Sequence, residues 1–350
     1  MTVVFKSDIR ADSSANVSNF AGYLGPVDHY IYADISNQIY KKNGATVNLT
    51  DILASTGQKK FYGIADKLGN VEDSIAGFPR RSFVPAHGVF AIMAETANAG
   101  FVFNSDIVIS GSASATYAAY ATKGKLTFDS EVVNLLSGSG TVLDPYIFKY
   151  KNTTTIPFAL DRNDANAVCT QCVGNRVPLN IVKGRDNVSD SDISIKITDI
   201  NKAQFAIVLR VISPKLGSKI GNADGYVPIV KFFEDSGKSI SYVKVRNASL
   251  NIQTRNANMV KGNATEAAPV TQVVDTYAIS FDNGKVNHYM NGARINAPEI
   301  IQLPSFVLNE IKILSTDVNW LVNKNSDALV NLIMYNRALS DVELANCLFK

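Results

Sequence analysis

The 350 residues carry 34 basic and 31 acidic side chains, a formal net charge of +3, and 19% of them are charged against 46% hydrophobic. A chain this apolar buries a large core, which excludes wholesale disorder, and so small a net charge excludes recognition of nucleic acid or an anionic membrane by bulk electrostatics. At roughly 150 residues per domain the length predicts about two domains.

Asparagine replaces much of the missing charge: 33 are present, 24 of them beyond residue 150, and this bias already points to many turns. The opening residues, Met1 to Asp8, lack a basic stretch followed by a long apolar run, so the expectation is synthesis in a cytoplasm without a secretory signal. No apolar run approaches the ~20 residues that span a bilayer as a helix. Six Asn-x-Ser/Thr triplets, beginning at Asn16, Asn48, Asn152, Asn187, Asn247 and Asn263, follow from an Asn- and Thr-rich composition and are not read as glycan acceptors.

In chain order, Asn43-Gly44 marks the first tight turn, and residues 63–75 have apolar spacing that predicts a helix. Val89–Met93 and Phe101–Phe103 are short β-branched and aromatic runs. Ser137-Gly138-Ser139-Gly140-Thr141, followed by Asp144-Pro145-Tyr146, reads as a turn feeding a strand, with Gly138 and Gly140 supplying positive φ. Residues 150–175 are polar and turn-rich, which predicts a linker. Cys169 and Cys172 fall within it at Cys-x-x-Cys spacing, but with no second pair to complete a four-ligand zinc site they read as free thiols or a local disulfide.

Beyond that stretch, Phe205–Val211, Val227–Phe233 and Ser241–Arg246 are strands, the last alternating at period two. Tyr277–Phe281 and Val286–Met290 form a hairpin about Asp282-Asn283-Gly284, and Asn291-Gly292 turns again. Ser340 and Glu343 have capping-box spacing for a final helix, on which Cys347 takes a core position. The pattern is that of an all-β protein: a β-rich region over residues 1–160, with a sub-domain from about residue 125, then a jelly-roll β-sandwich over 161–350 closed by a short C-terminal helix.

The C-terminal segments resemble a known superfamily. His288-Tyr289-Met290-Asn291-Gly292, and the closing step Tyr335-Asn336-Arg337-Ala338-Leu339-Ser340-Asp341-Val342-Glu343-Leu344, are similar to motifs of the concanavalin A-like lectin/glucanase superfamily in its laminin-G-like branch. With the Asn-, Ser- and Thr-rich strands, the whole resembles bacteriophage virion components of the tail, baseplate, fibre or capsid-decoration kind. The resemblance implies a virion protein whose lectin-like domain faces outward and binds host-cell surface glycan. Its implied partners are other virion proteins, that glycan and a second copy of the chain, with no nucleic acid and no membrane. A purely architectural virion protein is the alternative, and a glycan-degrading enzyme a second one.

Catalytic glucanases of the superfamily carry Glu-x-Asp-x-x-Glu on one strand, where period two sets the carboxylates on one face of a cleft. None of the glutamates at 72, 95, 131, 234, 266, 299, 310 and 343 begins or ends that pattern, so no enzyme is expected. Trp320, with Tyr335 or Tyr242 as companion, is a candidate for stacking on a sugar's apolar face, and Tyr289, His288 and Asn291 are candidates beside it. Each has a bland counterpart as a core or strand position. No cofactor is expected except calcium, for which Asp186, Asp190, Asp192 and Asp224 offer hard oxygens outside any EF-hand spacing.

Overall fold

Three Asn-Gly pairs set the local geometry of this chain. At Asn43-Gly44, Asn283-Gly284 and Asn291-Gly292 both residues have positive φ, between 50° and 88°, as two-residue hairpin turns require. In the computed structural model the strands that these turns join make an almost entirely β protein. Residues 22–55, 193–212, 274–295, 307–314 and 328–349 are described continuously, together with the strands and turns between 61 and 266 that are named below.

The strands of the three larger sheets, in chain order, are β1 (Ile31–Asp34), β2 (Ile39–Lys42), β3 (Ala45–Thr46), β4 (Leu53–Ser55), β5 (Arg81–Val84) and β6 (Val89–Met93). Next come β7 (Phe101–Phe103), β8 (Thr116–Ala121), β9 (Val133–Ser137), β10 (Tyr146–Tyr150) and β11 (Ala167–Cys172). Then follow β12 (Ile193–Ile195), β13 (Gln204–Ile212), β14 (Tyr226–Glu234), β15 (Ser239–Val245), β16 (Ser249–Asn256) and β17 (Met259–Glu266). The chain closes with β18 (Val274–Asp282), β19 (Lys285–Met290), β20 (Ala293–Arg294), β21 (Leu308–Ile313), β22 (Ala328–Tyr335) and the helix α1 (Asp341–Ala345).

The first sheet runs β20-β19-β18-β13-β22-β1-β2-β3, with the β5–β6 hairpin added through β22. The second runs β17-β16-β15-β14-β21-β12-β4. Every pairing in both is antiparallel, and Pro228 is tolerated in β14 because the register shifts beside it at a bulge. The two sheets face each other across one core. Phe232 of the second sheet packs at 4.8 Å against Phe281, which stacks at 4.4 Å on Phe205 of the same first sheet. All three rings are buried, each worth roughly 1.5–3 kcal/mol of transfer free energy.

The expected boundary near residue 160 does not match the sheets. β1 lies beside β22 with Ile31 opposite Met334, and β4 lies beside β12 with Ile193 opposite Ser55. The sandwich thus takes strands from both ends of the chain. Between them a separate antiparallel sheet, β9-β10-β8-β11-β7, is built from residues 101–172. Residues 150–175 are therefore not a linker. Cys169 and Cys172 lie on the strand β11, and their side chains are outside the described residues.

The helix expected over 63–75 is replaced by strands Phe61–Ile64 and Val71–Asp73, which pair with each other while Ile181–Val182 adds to the first. Phe61, Tyr62 and Ile64 are good strand formers, and a non-local partner overrides the helical spacing. The C-terminal helix forms where expected. Ser340 caps it, accepting from the Glu343 N–H at 3.4 Å, while the Glu343 carboxylate accepts from the Ser340 N–H at 2.8 Å.

Candidate functional site

The hairpin singled out in the sequence is structural. In β19, Val286, His288 and Met290 point into the inter-sheet core and Tyr289 to the opposite face, as period two requires. His288 is 3% exposed and meets Tyr242 edge-on at 5.9 Å. Burial, with Arg294 nearby, pushes its pKa down to about 4. Tyr289 is 7% exposed, and burial and Asp341 raise its phenol above the ordinary range. Asn291, at φ 52°, donates to Asp275 Oδ1 at 3.0 Å and accepts from the Thr276 N–H at 2.8 Å, pinning the turn to β18.

None of these three side chains is therefore free to meet a glycan, and the structure does not bring them together on one surface. Tyr335 and Tyr242, the proposed companions of Trp320, are core residues at 0% and 1% exposure. Trp320, Asp186, Asp190, Asp192 and Asp224 lie outside the described residues. Among the described residues no cluster of three metal-ligating side chains occurs.

The outer face of the first sheet is covered by the segment that follows β22, with Tyr23 beside it. Leu339, Leu344 and Cys347 cover Ala206, Val208, Ala278 and Ile333, and Tyr23 packs beside them. The Tyr335 hydroxyl donates to the Pro26 carbonyl at 2.7 Å, and the Tyr23 hydroxyl donates to Cys347 Sγ at 3.3 Å. Burial pushes the Cys347 thiol up to about 11, so it is an inert buried group. Arg337 locks the seal. Its guanidinium donates to both oxygens of Asp28, at 2.7 and 3.0 Å, and to both oxygens of Glu343, at 3.2 and 2.7 Å. Sequence reasoning missed this clamp, because Asp28 and Arg337 are 309 residues apart.

The second sheet presents a different surface. Phe232 points inward, so its neighbours Lys231 and Phe233 on β14 point outward, and both are half-buried. On β21, Ile311 and Ile313 face the core and Glu310 and Lys312 face out. The register sets Lys231 opposite Lys312 and Phe233 opposite Glu310. The ammonium of Lys231 lies 4.5 Å from the centre of the Phe233 ring, and that of Lys312 lies 5.4 Å from it. Like charges directly opposite repel, and the negative face of the ring and the Glu310 carboxylate one pair along offset this.

The result is an aromatic ring with two ammonium groups over it and one carboxylate opposite it on a sheet face. No spacing rule singled out Phe233. The only signal was the period-two position of an aromatic residue between a lysine and a glutamate.

No protein-family model and no curated protein matches the sequence. Among solved structures, the chain is similar to the CBM40 of the Ruminococcus gnavus IT-sialidase bound to alpha2,6 sialyllactose, at 14% identity and a TM-score of 0.30, over 42% of this chain and 83% of that one. It is similar to the binding domain of botulinum neurotoxin serotype D/C VPI 5993 at 12% identity and a TM-score of 0.35, over 46% of this chain and 40% of that one. It is also similar to the Trypanosoma rangeli sialidase at 10% identity and a TM-score of 0.32, over 41% of this chain and 22% of that one. Likeness of this degree leaves the functional reading to the chain's own residues.

Proposed function

We propose that this chain is a bacteriophage virion protein that binds host-surface glycan, without cleaving it, through the outer face of the second sheet. The observation that carries the glycan reading is the half-buried Phe233 with the ammonium groups of Lys231 and Lys312 over its ring. A pyranose carries hydroxyls and C–H groups, and two ammonium donors over an aromatic ring with a carboxylate opposite offer partners to its hydroxyls, with the apolar edge of the ring beside them. The opposite face of the sandwich is covered by Tyr23, Leu339, Leu344 and Cys347, which leaves the second sheet as the outward one among the described residues. The virion reading is supported by the closing step Tyr335–Leu344 and by the Asn-rich, turn-dense composition.

Binding to a host-polysaccharide and oligosaccharide array tests the first part. Phe233→Ala is expected to weaken binding about tenfold or more, the loss of roughly 1.4 kcal/mol, with an unchanged circular dichroism spectrum. Equal binding by the variant would remove this face from consideration. Mass spectrometry of purified particles tests the second part, and a complete absence of the chain from virions would refute it. Incorporation into virions without any glycan binding would favour the architectural reading.

A further inference from the structure

The three larger sheets end on strands whose outer edges differ in character. In the first sheet the terminal strands β3 and β20 have two residues each, and β5, which ends the added hairpin, has four and carries Arg81. In the second, β4 has three residues and β17 carries Lys261 and Glu266. In the inserted sheet β7 has three residues. Brevity and charge are the usual means by which an open edge avoids adding a foreign strand.

Among the described residues the remaining edge of these three sheets, β9, has neither. Val133-Asn134-Leu135-Leu136-Ser137 is five residues long, uncharged and free of proline, and Leu135 and Leu136 are 46% and 49% exposed. A bulge separates Leu135 from Ser137 in the register with β10, which presents these two neighbouring leucines together at the edge.

The edge is also held ready. The turn that follows has Gly138 and Gly140 at φ 93° and 77°. The backbone N–H groups of Ser139, Gly140 and Thr141 all point to the Asp144 carbonyl, at 3.1, 2.9 and 3.2 Å. The Tyr146 ring occupies the space that a Cβ at residue 140 would need. On the inner side, Phe148 of β10 is fully buried. A strand already extended and braced loses little freedom when it gains a neighbour.

We propose that β9 pairs antiparallel with β9 of a second copy of this chain, about a two-fold axis that joins the two inserted sheets. Alternate N–H and C=O groups of an edge strand face outward, and an identical strand run in reverse offers the complementary row. The charge pattern favours a second copy. Glu131 is the exposed charge nearest to β9 on its N-terminal side. In every two-fold register centred on residues 134–136 it falls opposite residues 137–141 of the other copy, which read Ser-Gly-Ser-Gly-Thr and carry no charge. The leucines of both copies then cover one another.

Analytical ultracentrifugation of the full chain tests this. The expected result is a species of twice the chain mass. Leu135→Lys and, separately, the surface change Asn134→Lys should each halve that mass with no change in the far-ultraviolet circular dichroism spectrum, while Leu135→Val should leave the dimer intact. A wild-type chain that stays monomeric as its concentration is raised overturns the proposal, whether or not another virion protein adds a strand there. So does a dimer that survives both lysine variants.

Discussion

His288 shows how burial decides the chemistry of a residue. Neither imidazole nitrogen has a hydrogen-bond partner among the described residues, and the ring sits between Tyr242 and the inter-sheet core. Its pKa falls from 6.5 to about 4 because burial penalises the cation. Between those two values the unfolded chain binds a proton that the folded chain does not, so stability rises with pH across that window and levels off above it. His29 moves in the same direction, also to about 4.

His288→Phe keeps the ring and removes the titration. Urea unfolding between pH 4 and 7 should then show a shallower rise, with the share of His29 left. An unchanged slope would mean that His288 is solvated. The sequence displayed His288, Tyr289 and Asn291 as a motif, and that much was legible. What was not legible is that a motif of neighbours on a strand splits between two buried faces, so it serves packing and a turn.

At the scale of the element, the closing step from β22 into α1 was the most legible part of the chain. Strand end, corner and capping box all occur within ten residues, and each is specified by local geometry. The clamp of Arg337 on Asp28 and Glu343 adds what local geometry lacks. Hydrogen bonds from Arg337 hold the Glu343 carboxyl down at about 2 and the Asp28 carboxyl below its usual range.

A carboxylate with a lower pKa in the folded state stabilises the fold above its unfolded pKa. For Glu343 that contribution is present above about 4.5 and is lost as pH falls toward about 2. The pairs are partly exposed, with side-chain exposures of 31–56%, so solvent screens them. Arg337→Met should therefore cost about 1 kcal/mol near neutral pH. The difference from wild type should shrink as the pH is lowered through the acid window, as followed by denaturant unfolding. A difference that does not vary with pH would assign the effect to lost packing.

At the scale of the molecule, the sandwich is not a C-terminal domain. β22, wholly buried, has β13 on one side and β1 on the other, so its second edge is covered by residues that precede it by about 300 positions. A fragment of residues 161–350 lacks β1, β2, β4, β5, β6 and Tyr23. It would expose the β22 edge and leave the outer face of the first sheet without Tyr23 and Tyr32. The expected outcome is an insoluble fragment or one with no cooperative thermal transition by circular dichroism. A soluble fragment that melts cooperatively would show that the first 160 residues are dispensable to the sandwich.

The sequence by itself determined what depends on a few adjacent residues: the all-β class, the positive-φ turns at the Asn-Gly pairs and at Gly138 and Gly140, and the capped final helix. These follow from steric limits on φ and from hydrogen bonds that close within one turn. Only the tertiary structure decided which strands are neighbours, which faces are sealed, and that Phe233 lies outward between two lysines while His288 does not. Strand pairing joins distant segments whose loop-closure cost is met by burial on both sheets. Many pairings fit the same period-two pattern, so the choice among them rests with the whole core.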